Sequence, residues 1–209
     1  MVKDERKLTE KELRRKDNFE KLSFEMQQKG YQIKNMSINM KQANFLGPLS
    51  MMPFIILTFW VYHKVNGFDL DGISLGFLAA AFLLILCLTI LHELIHGITW
   101  GIFAKNHLHS IDFGIILSSF SPYCTCSEPL GKWQYLLGTA MPTLIIGGGA
   151  AAAAVLTDQL LLLFLAEVMI LSGGGDFLII LKILSYRTDK KESMYYDHPY
   201  EYGFVVFEK

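Results

Sequence analysis

His92, Glu93 and His96 are the residues of this chain best placed to do chemistry. They stand as His92-Glu93-Leu94-Ile95-His96 inside a long apolar run. Side chains four apart on a helix share a face, so the two imidazoles can be offered to one Zn²⁺, with Glu93 offset beside a water that the metal activates. The chemistry implied is metal-assisted hydrolysis. Between Ile73 and Ala104 the only other ionisable side chain is Cys87. A helix of that composition reads as lying in a bilayer, where two histidines and a glutamate are expensive unless they hold a metal.

A catalytic zinc takes a third protein ligand and keeps its fourth position open. Asp176 is the expected third ligand, because it interrupts another apolar run just after Ser172-Gly173-Gly174-Gly175, and an ionisable residue within such a run is a functional candidate by default. Depth supports the choice. At 1.5 Å per residue His92 lies roughly 28 Å along its helix from Ile73, and Asp176 roughly 24 Å from Leu160. Glu128 and Asp112, with His107 and His109, are the alternatives, since some zinc peptidases draw their third ligand from downstream of the histidine pair. Glu167 lies about two turns outward of Asp176 and is expected to line a polar path or make a helix contact.

Positioning these residues falls to helices. The chain has 209 residues, of which 52% are hydrophobic, and a mean hydropathy of +0.32. Its apolar residues are gathered in blocks, too many for an ordinary soluble domain. Four membrane segments are expected, at about Leu46–Tyr62, Ile73–Ala104, Trp133–Leu156 and Leu160–Leu184, each near or above the ~20 residues a crossing needs. The fold class is therefore an all-α polytopic membrane protein with a small strand or loop element on the cytoplasmic face. It divides into a charged N-terminal segment (1–43), a membrane-embedded core (44–185) and a C-terminal tail (186–209).

Charge sets the orientation. Lys3, Arg6, Lys7, Lys11, Arg14, Arg15, Lys16, Lys21, Lys29, Lys34 and Lys41 all precede the first apolar block. Lys105 and Lys132 fall in the middle connection, and Lys182, Arg187, Lys190 and Lys191 at or beyond the end of the fourth. The positive-inside rule puts both termini and the middle connection in the cytoplasm, with Lys64 as the exception. No cleavable signal peptide is evident ahead of Leu46.

Between the charges, Leu8, Leu13, Phe19, Leu22 and Met26 suit an amphipathic helix over Lys3–Lys29, lying on the membrane surface or solvated in the cytosol. Tyr31–Met40, Ile111–Phe120 and Phe204–Phe207 have strand-like composition, and 118–129 reads as a loop or edge strand near the histidine helix. Cys87, Cys124 and Cys126 read as reduced thiols rather than a disulfide framework. His63 and His198 read as loop or interface residues.

The histidine pair in an apolar helix, a Tyr-x-x-x-x-Glu-Pro loop (Tyr123 to Pro129), the stretch Gly138-Thr139-Ala140-Met141-Pro142 and Gly175-Asp176 together resemble the putative zincin peptidases. That family comprises small bacterial membrane proteins similar to site-2 proteases. The resemblance covers about Asn44–Leu184. It implies an intramembrane metallopeptidase with His92, His96 and Asp176 as zinc ligands and Glu93 as general base. Site-2 proteases commonly carry Asn-Pro or Leu-Asp-Gly around the third ligand, where this chain has Gly174-Gly175-Asp176-Phe177.

The expected partners are the lipid bilayer and a membrane-protein or membrane-associated peptide substrate, with no nucleic acid. A helical substrate must expose an extended segment before it is cut, and pairing with a strand such as Ile111–Phe120 would hold it. Asn106, His109, Ser121 and Thr125 are the possible oxyanion donors. Two rival readings are a membrane metal-binding or transport protein, and an inactive homologue that binds membrane segments without cutting them.

Overall fold

The computed structural model describes residues 9–67, 69, 73–116 and 121–209. The expected helix residues Lys3–Leu8 and the strand and loop residues 117–120 lie outside them. In chain order come α1 (Glu10–Gln28), β1 (Gln32–Ser37), α2 (Met40–Asn66) and α3 (Leu75–Phe103). A 3-10 turn (His107–Ser110) leads into β2 (Ile111–Ile116), β3 (Ser121–Cys126) and β4 (Leu130–Gly131). Next are α4 (Lys132–Pro142), a π-helical turn (Thr143–Gly148) and α5 (Gly149–Thr157), then α6 (Leu160–Ser172), α7 (Gly174–Ser185), β5 (Ser193–Asp197) and β6 (Gly203–Glu208).

Three helical stretches are long and apolar enough to cross a membrane: α2, α3, and the continuous α4 to α5 stretch Lys132–Thr157. A fourth is the pair α6 and α7, bent by 45° where they meet. These are the four expected segments, each extended by a few residues or trimmed. Their outward faces stay apolar, with Leu75 at 84% and Leu156 at 85% exposure, which is compatible with a multi-pass membrane protein. The bend falls at Gly173, and the π-helical turn follows Pro142, whose ring cannot continue an ordinary hydrogen-bond ladder.

The strand element is larger than the sequence suggests. A four-stranded antiparallel sheet runs in the order β1-β6-β5-β4, and β2 and β3 form a separate hairpin. Residues from both ends of the chain therefore meet, with Gln32 opposite Glu208 and Ser37 opposite Gly203. Strand β6 is covered on both faces, which explains its unbroken apolar run. Phe204 and Val206 join Tyr195, Tyr135, Trp100 and Ile183 in the main core. Val205 and Phe207 join Tyr196 and Met26 on the opposite side.

That second face gives the amphipathic helix its partner. Helix α1 starts with a capping box, Thr9 with Glu12, and packs Phe19, Leu22 and Met26 against the sheet. Its main apolar stripe faces protein, not a lipid surface or water, because alternate residues of β5 and β6 need cover. Phe207, fully buried between helix and sheet, is the test of this layer. Phe207→Ala should cost about 3–5 kcal/mol, seen as a lowered unfolding midpoint of the purified protein.

Candidate metal centre

Helix α3 carries His92 and His96 on its buried face, while Asp176 enters from the first turn of α7. The structure brings these three together. Nε2 of His92 lies 3.1 Å and Nε2 of His96 3.4 Å from the same carboxylate oxygen, Oδ2 of Asp176. One ligand atom from each residue falls within 4.8 Å of the others, the single such group of His, Cys, Asp and Glu among the described residues.

The donor set fits a divalent cation. His96 Nδ1 meets the carbonyl oxygen of Gly138 at 2.8 Å, which places the proton on Nδ1 and turns the Nε2 lone pair toward Asp176. Nε2 facing a carboxylate oxygen in a buried site is satisfied either by a second proton, as an imidazolium paired with Asp176, or by a metal cation lying between them. His92 Nδ1 is buried without a partner among the described residues. Two imidazoles and a carboxylate form an open catalytic set for Zn²⁺.

Close packing makes the convergence possible. The three glycines before Asp176 each admit a different neighbour, and a Cβ at any of them would collide with it. Gly173 receives the Thr143 hydroxyl, Gly174 the backbone of Gly47 and Pro48, and Gly175 the Tyr202 hydroxyl. Two helix backbones, α2 and α7, thus meet without side chains between them.

His96 is held from behind by a stack that runs out to the sheet. Its ring lies 5.0 Å from that of Trp100, and Trp100 5.5 Å from Tyr135. The Trp100 indole donates to the Tyr135 carbonyl at 3.2 Å, and the Thr139 hydroxyl to the same oxygen at 2.9 Å. At the outer end Tyr135 donates its hydroxyl to Asp197 at 2.5 Å, and the Cys126 backbone N–H donates to the other oxygen of that carboxylate at 2.7 Å. Asp197 therefore joins α4, β3 and β5.

Glu93, half-buried, lies near the backbone N–H of Cys124. Residues 124 and 126 have the same parity on β3, so the strand edge away from β2 is turned toward Glu93 and Asp197. Phe113 of β2 packs against Gly97, one turn beyond Glu93. The loop foreseen near the histidine helix is this strand.

The rival ligands are placed elsewhere. Glu128 accepts from the backbone N–H groups of Lys105 and Asn106, the Asn106 side chain and the Ser110 hydroxyl. Burial works against it, yet these donors hold its carboxyl below the usual range. Asp112, His107 and His109 do not join the metal group. Glu167 accepts from Thr58 at 2.7 Å, a contact between α6 and α2. Among the proposed oxyanion donors, Asn106 is committed to Glu128, and Thr125 stands 3.5 Å from an Arg15 guanidinium nitrogen. Burial pushes the thiol of Cys126 up to about 12 and that of Cys124 higher still, so both remain protonated. His198 accepts from the Glu201 backbone at 2.9 Å and organises the turn between β5 and β6.

Fold and site define a helical protein with a candidate metal centre at the meeting of two apolar helices. Residues 85–190, half of the chain, match the family described as putative zincin peptidase, and the protein belongs to that family. Membership supports a zinc metallopeptidase. The matched segment holds His92, Glu93, His96 and Asp176 and stops short of Asp197 and Tyr202. No functionally curated protein and no solved structure matches the chain.

Sequence reasoning missed Asp197. It lies in a polar tail rather than an apolar block, and only the fold brings it, half-buried, against Tyr135 and Cys126. Burial pushes its carboxyl up to about 6, against the lowering effect of the Tyr135 and Cys126 donors. The folded protein then keeps a proton that the unfolded chain has released above its ordinary value of 3.8. Stability should therefore fall as pH rises from about 4 to about 6 and level off above, a loss on the order of 3 kcal/mol. Asp197→Asn should flatten that segment of the profile, measured as unfolding free energy against pH.

Proposed function

We propose that this protein is a site-2-type intramembrane zinc endopeptidase, cutting membrane-associated peptide segments at the cytoplasmic side of the bilayer. The observation that carries the reading is the convergence of His92, His96 and Asp176 from two apolar helices, with Glu93 one step along the same helix. His92, His96 and Asp176 would hold the metal. Bound zinc would supply Lewis-acid polarisation of the scissile carbonyl and a water acidified toward neutrality.

The chain's own groups do the rest. Glu93 takes the proton from the attacking water and delivers it to the amine leaving group as the C–N bond breaks. The Cys124 N–H lies near the Glu93 carboxylate, and the Gly138 carbonyl fixes the tautomer of His96. An extended substrate segment would lie along the β2–β3 hairpin, gaining backbone hydrogen bonds that a peptide out of its helix has lost. Apolar helix faces turned outward support membrane residence. Basic residues flanking the helices support cytoplasmic termini, and the likeness to site-2 proteases points to a bacterial plasma membrane. The transport reading is disfavoured by Glu167, whose contact with Thr58 makes it a helix clasp rather than a step in a polar path.

Glu93→Gln should keep zinc and lose peptide hydrolysis by a factor of about 10²–10⁴, checked by metal content and cleavage of membrane-peptide candidates with the purified protein. Cleavage at the wild-type rate would remove Glu93 as the base. Asp176→Asn should lower zinc occupancy about tenfold or more, and unchanged occupancy would remove Asp176 from the ligand set.

A further inference from the structure

Tyr202 presents a buried hydroxyl to the centre from outside the segment that matches the family. Its backbone is anchored where the carbonyl accepts from Ile38 N–H at 2.7 Å. The turn that carries it is shaped by His198, whose Nδ1 accepts from the backbone N–H groups of Tyr200 and Glu201. From there the ring packs against the main core, and its hydroxyl reaches the space left by the missing side chain of Gly175. The next residue is Asp176.

Among the described residues that hydroxyl has no hydrogen-bond partner, and its oxygen is shielded from solvent. A phenylalanine would fill the same space without the cost of an unpaired buried donor. Other orphaned atoms belong to the same neighbourhood: His92 Nδ1, and the Thr143 hydroxyl against Gly173. Both imidazoles meet Oδ2 of Asp176, while a carboxylate has lone pairs on a second oxygen as well. The Asp176 charge is close enough to Tyr202 that, after burial, it is what raises the phenol further above its ordinary range.

We propose that Tyr202 is a positioning residue of the metal centre, its hydroxyl donating to the Asp176 carboxylate when that carboxylate is shared with a divalent cation. The inference rests on the zinc-site reading above. A hydrogen-bonded carboxylate ligand is held in one orientation, and loss of such an outer partner typically weakens metal binding by 10–100-fold. Gly175 is then a glycine because the donor occupies the place of its side chain.

The test uses the full-length purified protein, stripped of metal and titrated with Zn²⁺ against a chromogenic chelator, for wild type, His96→Ala and Tyr202→Phe. Tyr202→Phe should bind zinc at least ~10-fold more weakly and shift the visible absorption of the Co²⁺-substituted protein. Its metal-free unfolding midpoint should stay level or rise, because the only atom removed is an unpaired one. Wild-type zinc affinity in Tyr202→Phe, or an unchanged Co²⁺ spectrum, overturns the proposal. So does a lowered metal-free midpoint, which would make the hydroxyl a structural group. If wild type binds no zinc that His96→Ala abolishes, the metal-site reading falls and this inference with it. Zinc bound by wild type and equally by Tyr202→Phe overturns this inference alone.

Discussion

Two imidazole nitrogens and a carboxylate oxygen are forced together within a body of leucine, isoleucine and phenylalanine, and the rest of the molecule is organised around that confrontation. Each group is costly to bury alone. Together they make sense around a cation, and bringing them together requires α7 to reach α3 with a short aspartate. The glycines at 173, 174 and 175 allow this by letting a hydroxyl, a helix backbone and a second hydroxyl occupy the volume their side chains would fill. A methyl group at any of the three would have to move something.

The second requirement is orientation. An imidazole can rotate and can carry its proton on either nitrogen, so a metal-ready histidine needs a partner on its far side. For His96 that partner is a main-chain carbonyl, Gly138, at the inner face of α4. The same helix supplies Tyr135, whose ring continues the stack from Trp100 and whose hydroxyl ends on Asp197. Alignment of His96 is thereby tied to the docking of β3 and β5. Glu93 is tied to the hairpin as well, through Cys124.

Much of the centre is legible from local pattern. The spacing of His92 and His96 is a helix period, the apolar blocks mark their own helices, and distance along two helices running the same way brings Asp176 level with the pair. Residues 204–207 announce a strand through their aromatic and branched side chains. What escapes is non-local. Asp197 sits among tyrosines in a tail whose composition gives no hint of burial, and Tyr202 gains meaning only once Gly175 is beside it. Gly138 contributes a carbonyl that any residue would possess. The partner of α1 was illegible for the same reason: Phe19, Leu22 and Met26 show that the helix has an apolar side, but the face it covers is built from strands at the other end of the chain.

The pairing of β1 with β6 has a consequence for how the molecule comes together. Gln32 and Glu208 are opposite one another in the sheet, yet every apolar helix from α2 to α7 lies between them in the chain. Closing so large a loop is entropically unfavourable until the intervening elements have been placed. The cost of closing the β1–β6 pair is lowest once the helices are in place, and the same closure brings β5 and the turn before β6, with Asp197 and Tyr202, against the helices. While β1 and β6 are still apart, His92 and His96 lack the surroundings that Asp197 and Tyr202 supply, so the setting of the candidate metal centre is complete only with the sheet.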